Sequence, residues 1–393
     1  MLLHKFLFEE YRIEVHDSIK EDPTSLEWQK MPGLSPHLRS EMLTLIERSE
    51  PKDMEFRYLF VFKQDGPASP CGVIYFQVLS FDHTNFNFEN KSGLQYLASI
   101  ILRLKTFRIF LAGCIFAVDF APCCIDSKRI DYRKLMEIIS RYSRLEKFDI
   151  MILKDLPGNF SREIMSGFGF EPMLTDMTMQ LEINPLWNSF KDYENALTHK
   201  YGQRVRKIRR QGIKLVRRKL SKEDLLEHKT RIDHLFLQVA ERQTLRMGIV
   251  DSSYFEQLYD SLGKNFFING YFLDEKLIAF ASHIIHENKL EVHYIGIDYL
   301  YNLQYAIYFN ILYDGIDLAF SHSKRSLELG RTAREAKAVV GCHPVYFNDY
   351  IKVPGFLARQ MFSLLKGYFL GRIGENWKKR HPFKTFATSV GPK

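Results

Sequence analysis

One pattern occurs twice in this chain and limits the folds open to it. The second copy surrounds Glu328-Leu329-Gly330-Arg331-Thr332-Ala333-Arg334-Glu335-Ala336-Lys337. It reads as a strand over Ser326–Leu329, a tight turn at Gly330, and a helix opened by Thr332, with Glu335 three residues on completing a capping box. The helix runs to Val340 and stops at Gly341; a strand over Pro344–Ile351 follows. The first copy reads Ile150–Leu153 (strand), Pro157-Gly158-Asn159 (turn), Phe160–Ser166 (helix), Gly167 to Gly169, then Asp176–Ile183 (strand). Two such units predict two copies of one α/β domain. A helix start that follows a strand also turns unpaired N–H groups outward, where an anion can be held.

Length agrees with two copies. The chain has 393 residues, too many for one core and comfortable for two. With 46% apolar and 26% charged residues it is an ordinary globular composition. It shows no uninterrupted apolar run long enough to span a bilayer, and the start Met1-Leu2-Leu3-His4-Lys5 does not read as a secretory signal. Cys71, Cys114, Cys123, Cys124 and Cys342 lack zinc spacing, so no metal is expected and reduced buried thiols are. Charge is uneven. Up to Pro185 there are 22 Lys and Arg against 26 Asp and Glu; the rest has 33 against 21. A phosphorylated or polyanionic partner is expected at the second half.

Along the first half, strands are expected at Tyr58–Phe62, Gly72–Leu79 and Arg108–Phe120, with helices at Leu94–Leu104 and Asp131–Leu145. Pro185 to Ser189 reads as the junction. A basic helix, a strand at Ile213–Arg217, and helices at Leu225–Arg242 and Ser253–Leu262 follow. Then comes a three-strand meander, Phe266–Leu273, Leu277–Ile285 and Leu290–Ile297, and a helix from Tyr305 to Phe320. The order predicts a mixed sheet with helices packed on it.

The meander followed by helix, strand, helix and strand resembles the GNAT acyltransferase fold. Gly169-Phe170 is similar to the Gly-Phe that precedes the last strand of that fold, and the basic helix from Lys200 to Gly212 is similar to one in tandem-GNAT proteins, the group with the Fem-type peptidoglycan aminoacyltransferases and related bacterial acetyltransferases. Gly330-Arg331-Thr332, with Lys337 and Gly341, resembles the closing segment of that group's second domain. The resemblance implies an acyltransferase with an acyl-CoA donor; acyl carrier protein or aminoacyl-tRNA are the other activated carriers. The chain departs from it in one place. Where GNAT enzymes carry a glycine-containing loop for the pyrophosphate of acetyl-CoA, this sequence reads Asp298-Tyr299-Leu300-Tyr301-Asn302-Leu303-Gln304-Tyr305-Ala306.

Four constellations could carry chemistry. Ten Lys and Arg fall between Lys200 and Lys219 with no acid. On a helix, Leu197, Tyr201, Val205 and Ile208 make an apolar stripe, and Lys200, Arg204, Lys207 and Arg210 lie on one flank. That flank binds phosphate groups, or is a solvated charged face. In the second, Gly330 allows close backbone approach, Arg331 offers a planar fork for phosphate or carboxylate, and Thr332 caps; a plain strand-to-helix turn is the alternative. In the third, a two-residue loop at Glu287-Asn288 would set Ser282 across from His293, with Glu291 on the same face and Tyr294 on the other. Glu291 or His293 could take a proton from an attacking amine, Tyr294 could give one back, and Glu328 is a further candidate base; a satisfied sheet histidine and a salt-bridged glutamate are the alternatives. Last, Phe356, Leu357, Met361, Phe362, Leu364, Leu365, Tyr368 and Phe369, followed by Trp377-Lys378-Lys379-Arg380, predict a basic amphipathic helix. It packs on its domain or lies on an anionic membrane surface.

The expected molecule is thus an α/β (α+β) protein of two GNAT-like domains, each a mixed, mostly antiparallel sheet flanked by helices. Residues 1–185 form a degenerate first copy, 186–353 the active one, and 354–393 a basic amphipathic tail. The expected function is N-acyl transfer from an anionic, activated donor to an amine acceptor, a cell-envelope precursor among the candidates. Catalytic candidates are Glu291, His293, Tyr294 and Glu328. Arg204, Lys207, Arg210, Gly330, Arg331, Thr332 and Lys337 are the binding candidates. The expected location is the cytoplasm, peripheral contact with the inner membrane face being compatible, and no sequence-specific DNA binding is expected. The other class that fits is a non-enzymatic module binding nucleic acid or anionic lipid through the basic half.

Overall fold

The computed structural model describes residues 1–85, 100–156, 158, 160–173, 177–243, 246–355, 359, 362 and 377–384. In chain order the strands are β1 (Leu2–Phe8), β2 (Tyr11–His16), β3 (Met54–Lys63), β4 (Gly72–Phe81), β5 (Phe107–Ala112), β6 (Cys123–Ile125), β7 (Ile150–Leu153), β8 (Glu171–Pro172), β9 (Met177–Glu182), β10 (Val216–Leu220), β11 (Phe266–Leu273), β12 (Lys276–Ile285), β13 (Lys289–Ile297), β14 (Ser326–Glu328), β15 (His343–Tyr346) and β16 (Tyr350–Lys352). They form two sheets in two compact units, and each unit is an α/β fold with a mixed, mostly antiparallel sheet.

The first unit holds Met1–Asp176, Thr244–Val250 and Phe347–Glu375. Its sheet runs β1-β2-β3-β4-β5-β7-β16-β8, with β6 on β4. β5 and β7 are parallel, Ile109 facing Ile150. The helix Tyr132–Tyr142 forms because Asp131 accepts from Lys134 N at its start, and its stripe of Leu135, Met136, Ile138, Ile139 and Tyr142 is buried. Phe76, Phe110 and Tyr142 meet ring to ring beneath it. A buried aromatic cluster of this kind is stabilising beyond its area, by about 0.5–1.5 kcal/mol per ring pair.

The second unit holds Met177–Gln243, Asp251–Tyr346 and Asn376–Lys393. Its sheet runs β10-β11-β12-β13-β14-β9-β15. The meander is closed at one end by Asp274 and Glu275, both at positive φ (46° and 64°), the backbone a tight hairpin needs. Helices cover both faces of the sheet. Tyr294 meets Phe236 of the helix Lys229–Ala240 and Tyr254 of the helix Ser252–Leu262 on one face. On the other, Val292 and Leu327 approach Gly315 of the long helix Ile307–Ser321. The basic helix, His199–Gln211, docks on that second side: Asn310 of the long helix donates to Ile208 O at 3.2 Å. A Cβ on Gly212 would meet Asn310 Nδ2 at 2.4 Å, so a side chain there would have to displace the buried Asn310 amide from its bond to Ile208 O.

Several expectations are corrected. The two units do not divide at Pro185, since β9, before it in sequence, lies in the second sheet, and β16 lies in the first. The strand expected over Pro344–Ile351 is two strands in different sheets. The helix after Gly330 starts at Arg334; its N-cap is Ala333 at φ 51°, without a side-chain cap, so Thr332 does not cap it and the capping box does not form. The helix expected over Tyr305–Phe320 is Ile307–Ser321, and a separate helix, Tyr299–Tyr305, precedes it, divided from it where Ala306 takes φ 47°. β5 stops before Gly113 (φ 140°) instead of reaching Phe120, and the strand after the basic helix is Val216–Leu220. Most of the tail after residue 353, part of the Leu94–Leu104 helix, and Pro157 and Asn159 of the first turn lie outside the described residues.

Candidate functional site

The site begins with a rung of the second sheet. β13 and β14 run parallel and share Lys289 with Ser326, Leu290 with Leu327, and Glu291 with Glu328. There the pairing ends. β14 stops at Glu328, and its chain stays with β9 through Leu329 N to Met179 O and Met179 N to Gly330 O. β13 continues for six more residues, Val292 to Ile297, with no partner on that side among the described strands. The sheet therefore opens at the Glu291–Glu328 rung.

Alternation along a strand places side chains of a shared rung on one face, and Val292 and Leu327 take the opposite face. Glu291 and Glu328 are thus neighbouring buried carboxyls. Their surroundings differ. Glu291 Oε2 lies 2.8 Å from His286 Nε2, and Oε1 lies 3.1 Å from His293 Nδ1. Burial pushes its pKa up, but the hydrogen bonds and charges of the two histidines hold it well below the usual carboxylate range. Glu328 goes the other way. Burial raises its pKa, against hydrogen bonds from Thr178 Oγ1 and Gly330 N, and the charge of Glu291 adds to the rise. One carboxyl is held ionised and its neighbour is pushed toward the protonated form, the separation that lets a pair divide base and acid duties.

The ionised partner fixes a tautomer. A carboxylate only accepts, so Nδ1 of His293 carries a proton, and in the neutral ring Nε2 accepts. Nε2 is 2.9 Å from Tyr254 Oη. The chain Tyr254–His293–Glu291 is therefore a relay along which a proton can pass from a phenol oxygen to an imidazole held by a carboxylate. Its middle member sits on a β-bulge. Ala281 pairs with Ile295 but His283 with Val292, so Ser282 faces both His293 and Tyr294. Ser282 Oγ accepts from Tyr294 N at 2.9 Å and donates to Tyr294 O at 3.2 Å. The extra residue overturns the expected placing of Tyr294 on the opposite face: its ring lies 4.4 Å from that of His293, and both pack on Tyr254.

The Gly330 turn closes on itself. Gly330 (φ 77°) donates its N–H to Glu328 Oε1 at 2.7 Å, and its carbonyl takes Lys337 Nζ at 3.1 Å. Lys337 is buried, and burial lowers its pKa to about 8 against the pull of Cys342 and Glu328. Arg331 is half-buried, its carbonyl accepting from Arg334 Nε, and Thr332 is exposed. The expected anion cradle is thus occupied by Glu328 itself. Arg204, Lys207 and Arg210 are not brought to the relay; they are exposed on the basic helix, across the sheet from it.

The helix start after β13 is also filled. Asp298 is buried; it accepts from Leu300 N at 3.2 Å and pairs with Arg231 at 2.7 Å. Burial raises its pKa, but Arg231 and the backbone donor hold it low. A fixed carboxylate there repels phosphate, so this helix start does not fit a pyrophosphate. Elsewhere in the unit Asp224, Glu227 and His228 bring ligating atoms within 4.8 Å of one another, but Asp224 already completes a capping box and pairs with Arg218.

Tyr254, His286 and Thr178 were missed by sequence reasoning. Thr178 lies 150 positions from Glu328 and Tyr254 39 from His293, so no local spacing could reveal them. His286, five residues from Glu291, was accessible from the hairpin register.

No protein-family model and no curated protein matches the sequence. Solved structures similar to this one include FemX, at 12% identity and TM-score 0.48, covering 89% of this chain and 99% of that one. A tandem GNAT protein from the clavulanic acid biosynthesis pathway has 10% identity and TM-score 0.49, covering 88% and 99%. L-PGS from Bacillus licheniformis has 12% identity and TM-score 0.47, covering 91% and 98%. Two of these names, FemX and tandem GNAT protein, are of the kind that the sequence motifs resemble. At these values nothing about donor, acceptor or activity passes from those proteins to this chain.

Proposed function

We propose that the chain is an N-acyltransferase whose chemistry takes place where β13 and β14 part. The observation that carries this reading is the Glu291–Glu328 rung, two adjacent buried carboxyls with opposed pKa shifts, beside a relay to Tyr254. An amine nitrogen attacks the carbonyl carbon of an activated acyl ester or thioester, the N–C bond forms, and the bond to the leaving group breaks. The amine proton passes through Tyr254 to His293, whose imidazolium Glu291 stabilises. The leaving oxygen or sulfur takes a proton from Glu328, and solvent restores both groups. Holding the two reactants in the opened sheet supplies much of the acceleration, and the proton transfers contribute about 10²–10⁴-fold. The Asp298 helix start, already filled by its own carboxylate, does not hold the phosphates of the donor.

The test offers the full-length chain a labelled acyl group on CoA, on acyl carrier protein and on tRNA, with a panel of primary amines and aminated lipid extracts, and follows label into the amine fraction. Transfer from at least one carrier is expected, with Tyr254→Phe and Glu291→Gln slower by about 10²-fold or more and unchanged in circular dichroism. Transfer at equal rates in both variants would remove the relay from the reaction.

A further inference from the structure

A second surface of this unit has a different chemistry. The short helix Tyr299–Tyr305 turns its tyrosines inward, half-buried against the core. Leu300 and Leu303 point out, 87% and 88% exposed, and a spacing of three residues sets them side by side on one face. Gln211 Nε2 reaches Gln304 O at 3.5 Å, which ties this leucine knuckle to the end of the basic helix. Lys207 lies one turn before Gln211. Arg204 lies one turn earlier, its guanidinium 4.6 Å from the ring of Phe309. Ile213, just past that helix end, is 78% exposed.

The basic residues here divide into two sets. Arg206 is neutralised by Glu194 and Arg209 by Asp314. Lys200, Arg204, Lys207, Arg210 and Lys214 are exposed and, among the described residues, have no carboxylate within ion-pair distance. Around the knuckle, exposed Arg242 stacks on Tyr299 at 3.7 Å and exposed Lys276 lies over Tyr301 at 5.2 Å. Two outward leucines and inward tyrosines with cations on their rings thus adjoin, through Gln211 and Gln304, the end of the helix that carries a row of cations without ion-pair partners among the described residues. A polyphosphate such as RNA has use for the cations and none for the leucines. An anionic leaflet has use for both, because apolar side chains enter the acyl boundary while cations meet the headgroup charge.

We propose that the Leu300–Leu303 knuckle and the Lys200–Arg204–Lys207–Arg210 row form a docking surface for an anionic lipid leaflet. This goes beyond the transfer reading and does not depend on it. The full-length chain is floated with vesicles of phosphatidylcholine alone and with about a third phosphatidylglycerol. Binding to the anionic vesicles only, weakened by salt, is expected. Leu300→Ser with Leu303→Ser should weaken it about tenfold or more, and Lys207→Gln with Arg210→Gln about fivefold per charge removed; both pairs lie at exposed positions, and thermal melts check their folding. No vesicle binding by the wild type, or wild-type binding by the leucine pair, would overturn the proposal. So would binding of a generic RNA that depends on the cations but not the leucines, without vesicle binding.

Discussion

His283 lies fully buried on β12, its ring stacked on Phe267 at 4.7 Å, with Lys219 over the same Phe267 ring and His322 stacked close by. Burial, and then the charge of His322, lowers its pKa to about 3. Below the unfolded pKa of about 6.5 the unfolded chain binds a proton that the folded chain refuses, so stability falls as pH drops from about 6.5 towards 3. The loss is about 1.4 kcal/mol per pH unit for this one site. Urea titrations at pH 6.5 and 4.5 should show the wild type losing about 2–3 kcal/mol more than His283→Phe; equal losses would mean His283 is protonated in the fold. Residues of this kind mark how much a sequence tells. Glu291 and His293 share a face in simple strand alternation, and that was legible. The proton preferences of Glu291 and Glu328 were not, because they come from His286, His293, Thr178 and Gly330, which only the folded chain assembles.

Elements were more legible than their irregularities. The meander strands lie within a residue of where hydrophobic alternation and turn residues put them. The bulge in β13 was hidden, since one extra residue leaves no compositional trace. Ser282 satisfies the backbone that the bulge disrupts. Ser282→Ala should therefore cost about 1–3 kcal/mol, the price of buried backbone groups left without a partner, and should slow acyl transfer further by moving His293 against Tyr254. Chemical denaturation beside rate measurement separates the two effects; a variant of wild-type stability would show that the bulge stands without its hydroxyl. The failed cap at Thr332 has a similar origin. Ala333 takes the left-handed region instead, and Gly330, already turned by its bond to Glu328, sets that path.

At the scale of the whole molecule the repeat was legible and its pairing was not. Each sheet includes a strand from the other half of the sequence, β16 in the first and β9 in the second. Nothing in Met177-Thr178-Met179-Gln180-Leu181-Glu182 names the sheet it joins. β9 lies between β14 and β15 and supplies Thr178 to Glu328. A fragment starting at residue 186 should consequently be insoluble or lack cooperative melting, whereas one starting at 177 keeps the sheet's strand order; equal behaviour of the two in solubility and thermal melts would contradict it. Charge distribution acts at this scale as well, since the excess of cations after Pro185 includes the row on the basic helix that has no ion-pair partner among the described residues.

In the proposed transfer, Glu328 gives a proton to the leaving group. The pH dependence of single-turnover acyl transfer, measured on the wild type and on Glu328→Gln with the carrier that supports turnover, tests this most directly. Burial and Glu291 raise the Glu328 pKa, so the wild-type rate should fall as pH rises through that value, and the glutamine variant should be slower by about 10²-fold or more and lack that alkaline limb. A variant that matches the wild type in rate, or that keeps the same limb, would contradict the assignment.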